Sequence, residues 1–290
     1  MEKLTPSELK EISRQIRRDI IKMLMISKSG HSGGPLGLAD IFASLYFNIL
    51  NIDPKNPYTK QDRDYFFLSA GHLAPVWYAT LARRGYMPLD ELKTLRKING
   101  RLQGHPAPAF THGAPGVEIA SGALGQGLSI AVGCAIGLRL DKKPNRVFCL
   151  MGDGELDEGQ IWEAMMTAGH HKVDNLIGIV DRNHCQIDNR TDKVMEIEPL
   201  ADKWKAFNWN VLECDGNNIE QFLKTVEQAK TLKGKPSIIL AKTFMGKGVS
   251  FMEDDYRWHG IPPNEEQGKK ALSELAPTKY GDFCEFDWEK

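Results

Sequence analysis

The sequence predicts an α/β fold, a mostly parallel sheet with helices on both faces. Three observations carry this. Apolar runs such as Val147–Met151 and Leu176–Val180 are strand-length and lack polar alternation, as in strands buried on both faces. Segments of helical periodicity lie between the runs, which implies parallel strands joined by crossovers. The 290 residues suffice for one large domain or two small ones, and the net charge of −1 points away from nucleic acid and other polyanions.

The elements follow in order. Residues 5–29 form a helix: Thr5-Pro6-Ser7-Glu8 reads as a capping box with proline at the first helical position. Leu9, Ile12, Ile16, Ile20, Met23 and Leu24 then keep to one face. Gly30 ends that helix, His31–Pro35 make a turn, and a second helix covers 38–50. Tyr65–Leu68 is a short strand, with helices near 73–85 and 88–98. Residues 99–121, rich in Gly, Pro and His, form a long ordered loop of the kind that often carries function. A small-residue helix spans 122–140. Then come strand 146–151, a helix near 158–171, strand 176–180, an irregular stretch, strand 210–213, a helix near 217–232 and strand 237–241. From about 244 the tail is mostly loop, with a short helix near 264–275.

No run of about 18 apolar residues exists, so no membrane span is expected. The charged N-terminus has no signal-peptide core. Five cysteines without a CxxC pair suit free thiols in a reducing cytoplasm.

The stretch VFCLMGDGELDEGQIWE (147–163) sets the chemical problem. A glycine turn between strand and helix usually cradles phosphate with backbone N–H groups, but acids crowd this one. Asp153 and Asn183 lie 30 residues apart, each just past a predicted strand, so one crossover brings them to the same sheet edge. A carboxylate plus an amide carbonyl suits a hard cation, Mg²⁺ or Ca²⁺, which would bridge Asp153 to phosphate oxygens. The plainer reading is a helix start whose acids answer the helix dipole.

A glycine turn GDG followed by an asparagine about 30 residues on is the signature of thiamine-diphosphate enzymes. Four further segments, SGHSGGPLGLADI (29–41), LSAGH (68–72), GHP (104–106) with SGALGQG (121–127), and WHG (258–260), resemble transketolase in order and spacing from about residue 10 to 265. Transketolases are more than twice as long. This chain therefore resembles the N-terminal subunit of a split transketolase. Residues 1–290 would be one diphosphate-binding domain, and the pyrimidine-binding and third domains would lie on a partner chain.

The resemblance implies roles. Asp153 and Asn183 match side-chain metal ligands, and Cys185 matches a main-chain carbonyl ligand to Mg²⁺. Gly154 matches a backbone donor to the diphosphate. Gly122, Leu124 and Ile187 match contacts along thiamine diphosphate, as do Asn183, His72 and His259. His31, His105 and His259 match histidines that contact sugar hydroxyls and move protons, work suited to imidazoles. His112, His170, His171 and His184 carry no such match. Glu155, Glu158 and Glu163 would serve mainly subunit contacts. The glutamate that acts on the aminopyrimidine would come from the C-terminal subunit, with two copies of each chain in the assembly.

The implied activity is transfer of a two-carbon ketol unit from a ketose phosphate to an aldose phosphate in the pentose phosphate pathway. This sequence departs from some relatives at Met245, where they carry lysine (Lys247 lies two residues on), and at Gly34, where they carry serine. Three other readings stand beside this one. The chain could be the alpha subunit of a 2-oxo acid dehydrogenase, a deoxyxylulose-phosphate synthase type of enzyme, or a non-catalytic cofactor-binding subunit.

Overall fold

The computed structural model describes residues 3–289. Its centre is a five-stranded sheet of order β1-β2-β3-β5-β4, formed by Tyr65–Leu68, Val147–Gly152, Leu176–Arg182, Ser237–Lys242 and Asn210–Asp215, with β4 and β5 numbered by chain order. Every neighbouring pair is parallel. The register between β2 and β3 pairs Val147 with Leu176 and Gly152 with Asp181. The residues after both strands therefore leave the sheet side by side.

Alternate side chains feed opposite layers, as the strand period of two requires. Phe66, Leu68, Phe148, Leu150, Ile177 and Ile179 join the larger core, together with α1 (Pro6–Ser27), α3 (Ala39–Ser44), α4 (Ala74–Arg84) and α9 (Ile219–Thr231). Phe67, Val147, Cys149, Met151, Leu176 and Val180 join the other, together with α5 (Gln126–Leu140), α6 (Gly159–His170) and α8 (Leu200–Ala206). Helices thus cover both faces.

α1 begins where the capping box places it: Thr5 Oγ1 accepts from Glu8 N, and Glu8 Oε2 accepts from Thr5 N at 2.8 Å. Elsewhere the helices are shorter or differ in type. The predicted turn after His31 is partly helical, α2 (Gly33–Gly37), despite two glycines at its start. A Cβ on Gly33 would lie 2.4 Å from Met245 Cγ, and one on Gly37 2.7 Å from the Phe244 carbonyl oxygen, so close packing outweighs poor propensity. The predicted helix 38–50 divides into α3 and a π-helical turn, Leu45–Ile49. The predicted helix 88–98 is only a 3₁₀ turn, Leu89–Thr94. The irregular stretch contains α7 (Thr191–Val194) and α8, and α10 (Glu265–Glu274) closes the tail. Among the described residues no helix is long and apolar enough to cross a membrane.

Candidate active site

At the carboxyl edge of the sheet lies a cavity of about 280 Å³. It is lined by each residue singled out above: His31, His72, His105, His259, Gly122, Leu124, Asp153, Gly154, Asn183, Cys185 and Ile187. Several elements deliver them. His31 comes from the α1–α2 turn, His72 from the 3₁₀ turn after β1, and His105 and Gly122 from the long loop. Asp153 and Asn183 follow β2 and β3, and His259 comes from the tail. A hollow of about 690 Å³ between Met25, Pro263 and Trp288 holds none of these groups.

Three imidazoles meet in this cavity. Ring centroids are 5.1 Å apart for His31 and His72, 4.9 Å for His72 and His259, and 5.6 Å for His31 and His259. His105 packs on Gly122, whose φ of 142° suits glycine, and a Cβ there would sit 2.9 Å from His105 Cγ. Burial lowers the basicity of all four histidines. His31 falls to about 4, through burial and then the nearby His259, Arg96 and His105. His72 lies well below the ordinary value for the same main reason, burial, helped by its histidine neighbours. At neutral pH these rings are uncharged acceptors and donors. The Nδ1 atoms of His31 and His259 are buried with no hydrogen-bond partner, which is costly unless a ligand supplies one.

At the other end Asp153 is fully buried. Its Oδ1 accepts from Gly154 N at 2.8 Å, and its Oδ2 accepts from His184 N at 2.6 Å and Arg182 Nη1 at 2.9 Å. Burial raises its pKa to about 6, against the pull of Arg182. Burial also raises Asp181 to about 7. Asn183 Oδ1 accepts from Cys185 N at 2.9 Å, which leaves a second lone pair. Among the described residues no hydrogen bond reaches the Cys185 carbonyl. Nor does any group of three His, Cys, Asp or Glu side chains stand ready for a metal, so a cation here would need amide and main-chain oxygens. One carboxylate, one amide oxygen and one carbonyl form a hard donor set that fits Mg²⁺ or Ca²⁺. Gly154 N already donates to Asp153, so a phosphate would have to share that hydrogen.

One finding revises a sequence expectation, and another bears on a point the sequence left open. Glu155 does not face a subunit contact. It is buried, and its carboxylate accepts from Ser69 Oγ, Gly125 N (2.8 Å) and Gly152 N (3.1 Å). Ser69 Oγ in turn accepts from Gly127 N at 3.0 Å. Glu155 therefore ties the glycine loop 121–127 to the ends of β1 and β2, a role that could be read only from the pairing of those strands. Lys247 does not replace the missing lysine: it pairs with Glu253 at 3.2 Å and lies outside the cavity, which Met245 lines instead.

Residues 8–283 match the family model described as transketolase, thiamine diphosphate binding domain. The chain is 42% identical over 270 residues to the 6-deoxy-6-sulfo-D-fructose transketolase subunit SqwG of Clostridium sp. (strain MSTE9), covering 91% of this chain and 97% of that one. It is 41% identical over 273 residues to an apulose-4-phosphate transketolase subunit from Actinobacillus succinogenes, covering 94% and 97%. The crystal structure of transketolase from Campylobacter jejuni superposes with a TM-score of 0.89 at 35% identity, over 97% of this chain but only 44% of that chain. The chain thus spans less than half the length of that transketolase. By sequence and by fold, the chain belongs to the transketolase family and corresponds to its thiamine-diphosphate-binding domain.

Proposed function

We propose that the chain is the N-terminal subunit of a split transketolase, one diphosphate-binding domain over its whole length. It would hold Mg²⁺–thiamine diphosphate and, with a C-terminal subunit, transfer a two-carbon ketol unit between sugars. The carrying observation is the match over 97% of the length of two proteins that are themselves named transketolase subunits. In this reading Asp153, Asn183 and the Cys185 carbonyl hold the cation. Gly122, Leu124, Gly154, Ile187 and His72 line the cofactor. When bound, thiamine diphosphate supplies the electron sink for cleavage of the carbon–carbon bond.

This chain's own residues handle protons and orientation. His31, His105 and His259 are neutral near pH 7 and accept or return hydroxyl protons of the sugar. The buried, unpartnered Nδ1 atoms of His31 and His259 are natural anchors for such hydroxyls. Glu155 fixes the loop beneath them. These two relatives are named for a sulfonated and a phosphorylated sugar. We take the substrates here to be sugars with a terminal anionic group, including those of the pentose phosphate pathway, handled in the cytoplasm by two copies of each subunit.

Purification from native cells followed by mass spectrometry tests this reading. The expected result is a stoichiometric second chain bearing a pyrimidine-binding domain and its glutamate. Ketol transfer should need both chains, and turnover by the pure single chain would overturn the split assignment. A lipoamide-coupled assay with pyruvate should give no product, and activity there would move the chain to the 2-oxo acid dehydrogenases.

A further inference from the structure

β3 ends between two hollows. On one side Asp153 and Asn183 line the cavity that holds the histidines. On the other, Arg182, His184, Glu198 and Lys242 line a polar hollow of about 610 Å³. Arg182 is the last residue of β3, and the roles above do not use it. Its guanidinium reaches from one side to the other. Nη1 donates to Asp153 Oδ2 at 2.9 Å and to Thr191 Oγ1 at 3.1 Å, and Nη2 donates to Glu198 Oε1 at 2.8 Å.

A site built for a cation has a difficulty before the cation comes. The Asp153 side chain is 1% exposed, and an ionised carboxylate at that depth is costly without a positive neighbour. Among the described residues Arg182 is its only cationic partner. Asp181, also buried, is served by neutral donors instead, Thr243 Oγ1 and Asn183 Nδ2. The second carboxylate on Arg182 is of another kind: the Glu198 side chain is 49% exposed. One guanidinium thus holds a buried carboxylate and a solvated one, and it can release the first while keeping the second. The same arginine fastens the loop that carries the other ligands. Asn183 and Cys185 follow it in the chain. Thr191, which accepts from Nη1, donates its own N–H to the His184 carbonyl at 3.0 Å. Glu198 Oε2 accepts from Leu200 N at 2.6 Å, at the start of α8. Residues 183–198 therefore leave Arg182 and return to it.

We propose that Arg182 is a stand-in cation. It neutralises the buried Asp153 and holds the ligand loop while the metal position is empty, then competes with the arriving divalent cation and retreats to Glu198. The inference rests on the reading of Asp153, Asn183 and Cys185 as cation ligands and extends it to how the empty site is kept in shape.

Two measurements on wild type, Arg182→Met, Arg182→Lys and Glu198→Gln test this. The first is urea unfolding of the full chain with a chelator present. Arg182→Met leaves Asp153 without a buried partner and should raise the unfolding equilibrium constant about a hundredfold or more. Lysine keeps the charge without the fork and should restore part of the loss. A rise below about fivefold, the scale of a surface pair, would overturn the proposal.

The second is calorimetric titration of Mg²⁺ into the assembled enzyme with thiamine diphosphate in excess. With no resident charge to displace, Arg182→Met should bind Mg²⁺ about tenfold more tightly than wild type. Glu198→Gln leaves Asp153 as the only carboxylate on Arg182 and should bind it more weakly. A mere brace would lower stability and leave Mg²⁺ affinity equal in every form. An arginine that aims Asp153 at the cation would make Arg182→Met bind more weakly. Either result overturns the proposal. If Arg182→Met does not fold, Glu198→Gln decides, and unchanged or tighter Mg²⁺ binding there overturns it. If Mg²⁺ binds to every form alike, only the stand-in role falls. If it binds to none, wild type included, the cation reading falls and takes this proposal with it.

Discussion

Around α1, Arg17 meets Asp40 at 2.6 Å, Arg83 meets Asp19 at 2.6 Å, and Arg18 and Lys22 converge on Asp282. At the carboxyl edge of the sheet, His31 Nδ1 and His259 Nδ1 are buried with no partner, and nothing among the described residues donates to the Cys185 carbonyl. Both regions withdraw polar groups from water; around α1 these charged pairs are matched within the chain, although Arg14 Nε is left without a partner. Burial raises Asp19, Asp40 and Asp282; the cationic partners of Asp40 and Asp282 outweigh it and hold both below the ordinary carboxylate range, Asp282 well below, whereas at Asp19 burial prevails over Arg83. At the site burial prevails: Asp153 rises to about 6 and His31 falls to about 4. Unpartnered buried atoms occur in the frame as well, at Arg14 Nε, Arg63 Nε and Trp204 Nε1 among others; what sets the site apart is that two such atoms, on His31 and His259, line one cavity.

The contrast can be broken from its structural side first. Asp19→Ala removes the wholly inaccessible carboxylate partner of the buried Arg83 guanidinium and leaves it only the Tyr280 and Gly281 carbonyls. The expected loss of unfolding free energy is about 3–5 kcal/mol, read from urea denaturation. A loss below about 1 kcal/mol, the usual value of a surface pair, would mean that water reaches Arg83.

Asp153→Ala acts on the other side. Cation-dependent binding of thiamine diphosphate by the assembled enzyme should weaken at least about a hundredfold, roughly 2.7 kcal/mol, while the urea midpoint moves less than for Asp19→Ala. Calorimetric titration with and without Mg²⁺ reads the first effect. Unchanged affinity would remove Asp153 from the metal site.

The histidine cluster sharpens the comparison through pH. The folded pKa of His72 lies well below its ordinary value of 6.5. As pH drops past about 6.5 the unfolded chain takes up this proton first. The contribution of a neutral His72 is thus full above that pH and declines as pH falls towards the folded value, by up to about 1.4 kcal/mol per pH unit. His72→Gln, measured by urea midpoints at pH 6.5 and 5.5, should flatten the decline by about that amount. An unchanged slope would show that His72 protonates as readily folded as unfolded.

The smallest effect belongs to the frame again. Thr5→Ala removes the acceptor for Glu8 N and should cost about 1 kcal/mol, seen as a lower urea midpoint with no change in cofactor affinity.

Much of this was legible in the sequence because it depends on local pattern. The β2 and β3 runs are apolar on both faces and could hardly be anything but central strands, and the capping box announced α1. Asp153 and Asn183 were legible because a crossover between adjacent strands has one hand. The rest depends on contacts distant in sequence. α8 is too short to show a period, although Leu200 and Trp204 stand four apart and are both buried. α2 forms against the propensity of its glycines because Met245 and Phe244, more than 200 residues away, press on it. Glu155 turned inward because Ser69 and Gly125 came to meet it.

The pairing of Gly152 with Asp181 has a consequence for how such chains can diverge. What keeps Asp153 beside Asn183 is that rung of the sheet, not the thirty residues of chain between them. An insertion in the surface turn between α6 and β3 would change the count and leave both ligands where they stand. A one-residue slip of β3 would keep the count and carry Asn183 away. Descendants of this fold are thus free to vary the interval, and a search that fixes it will miss some of them.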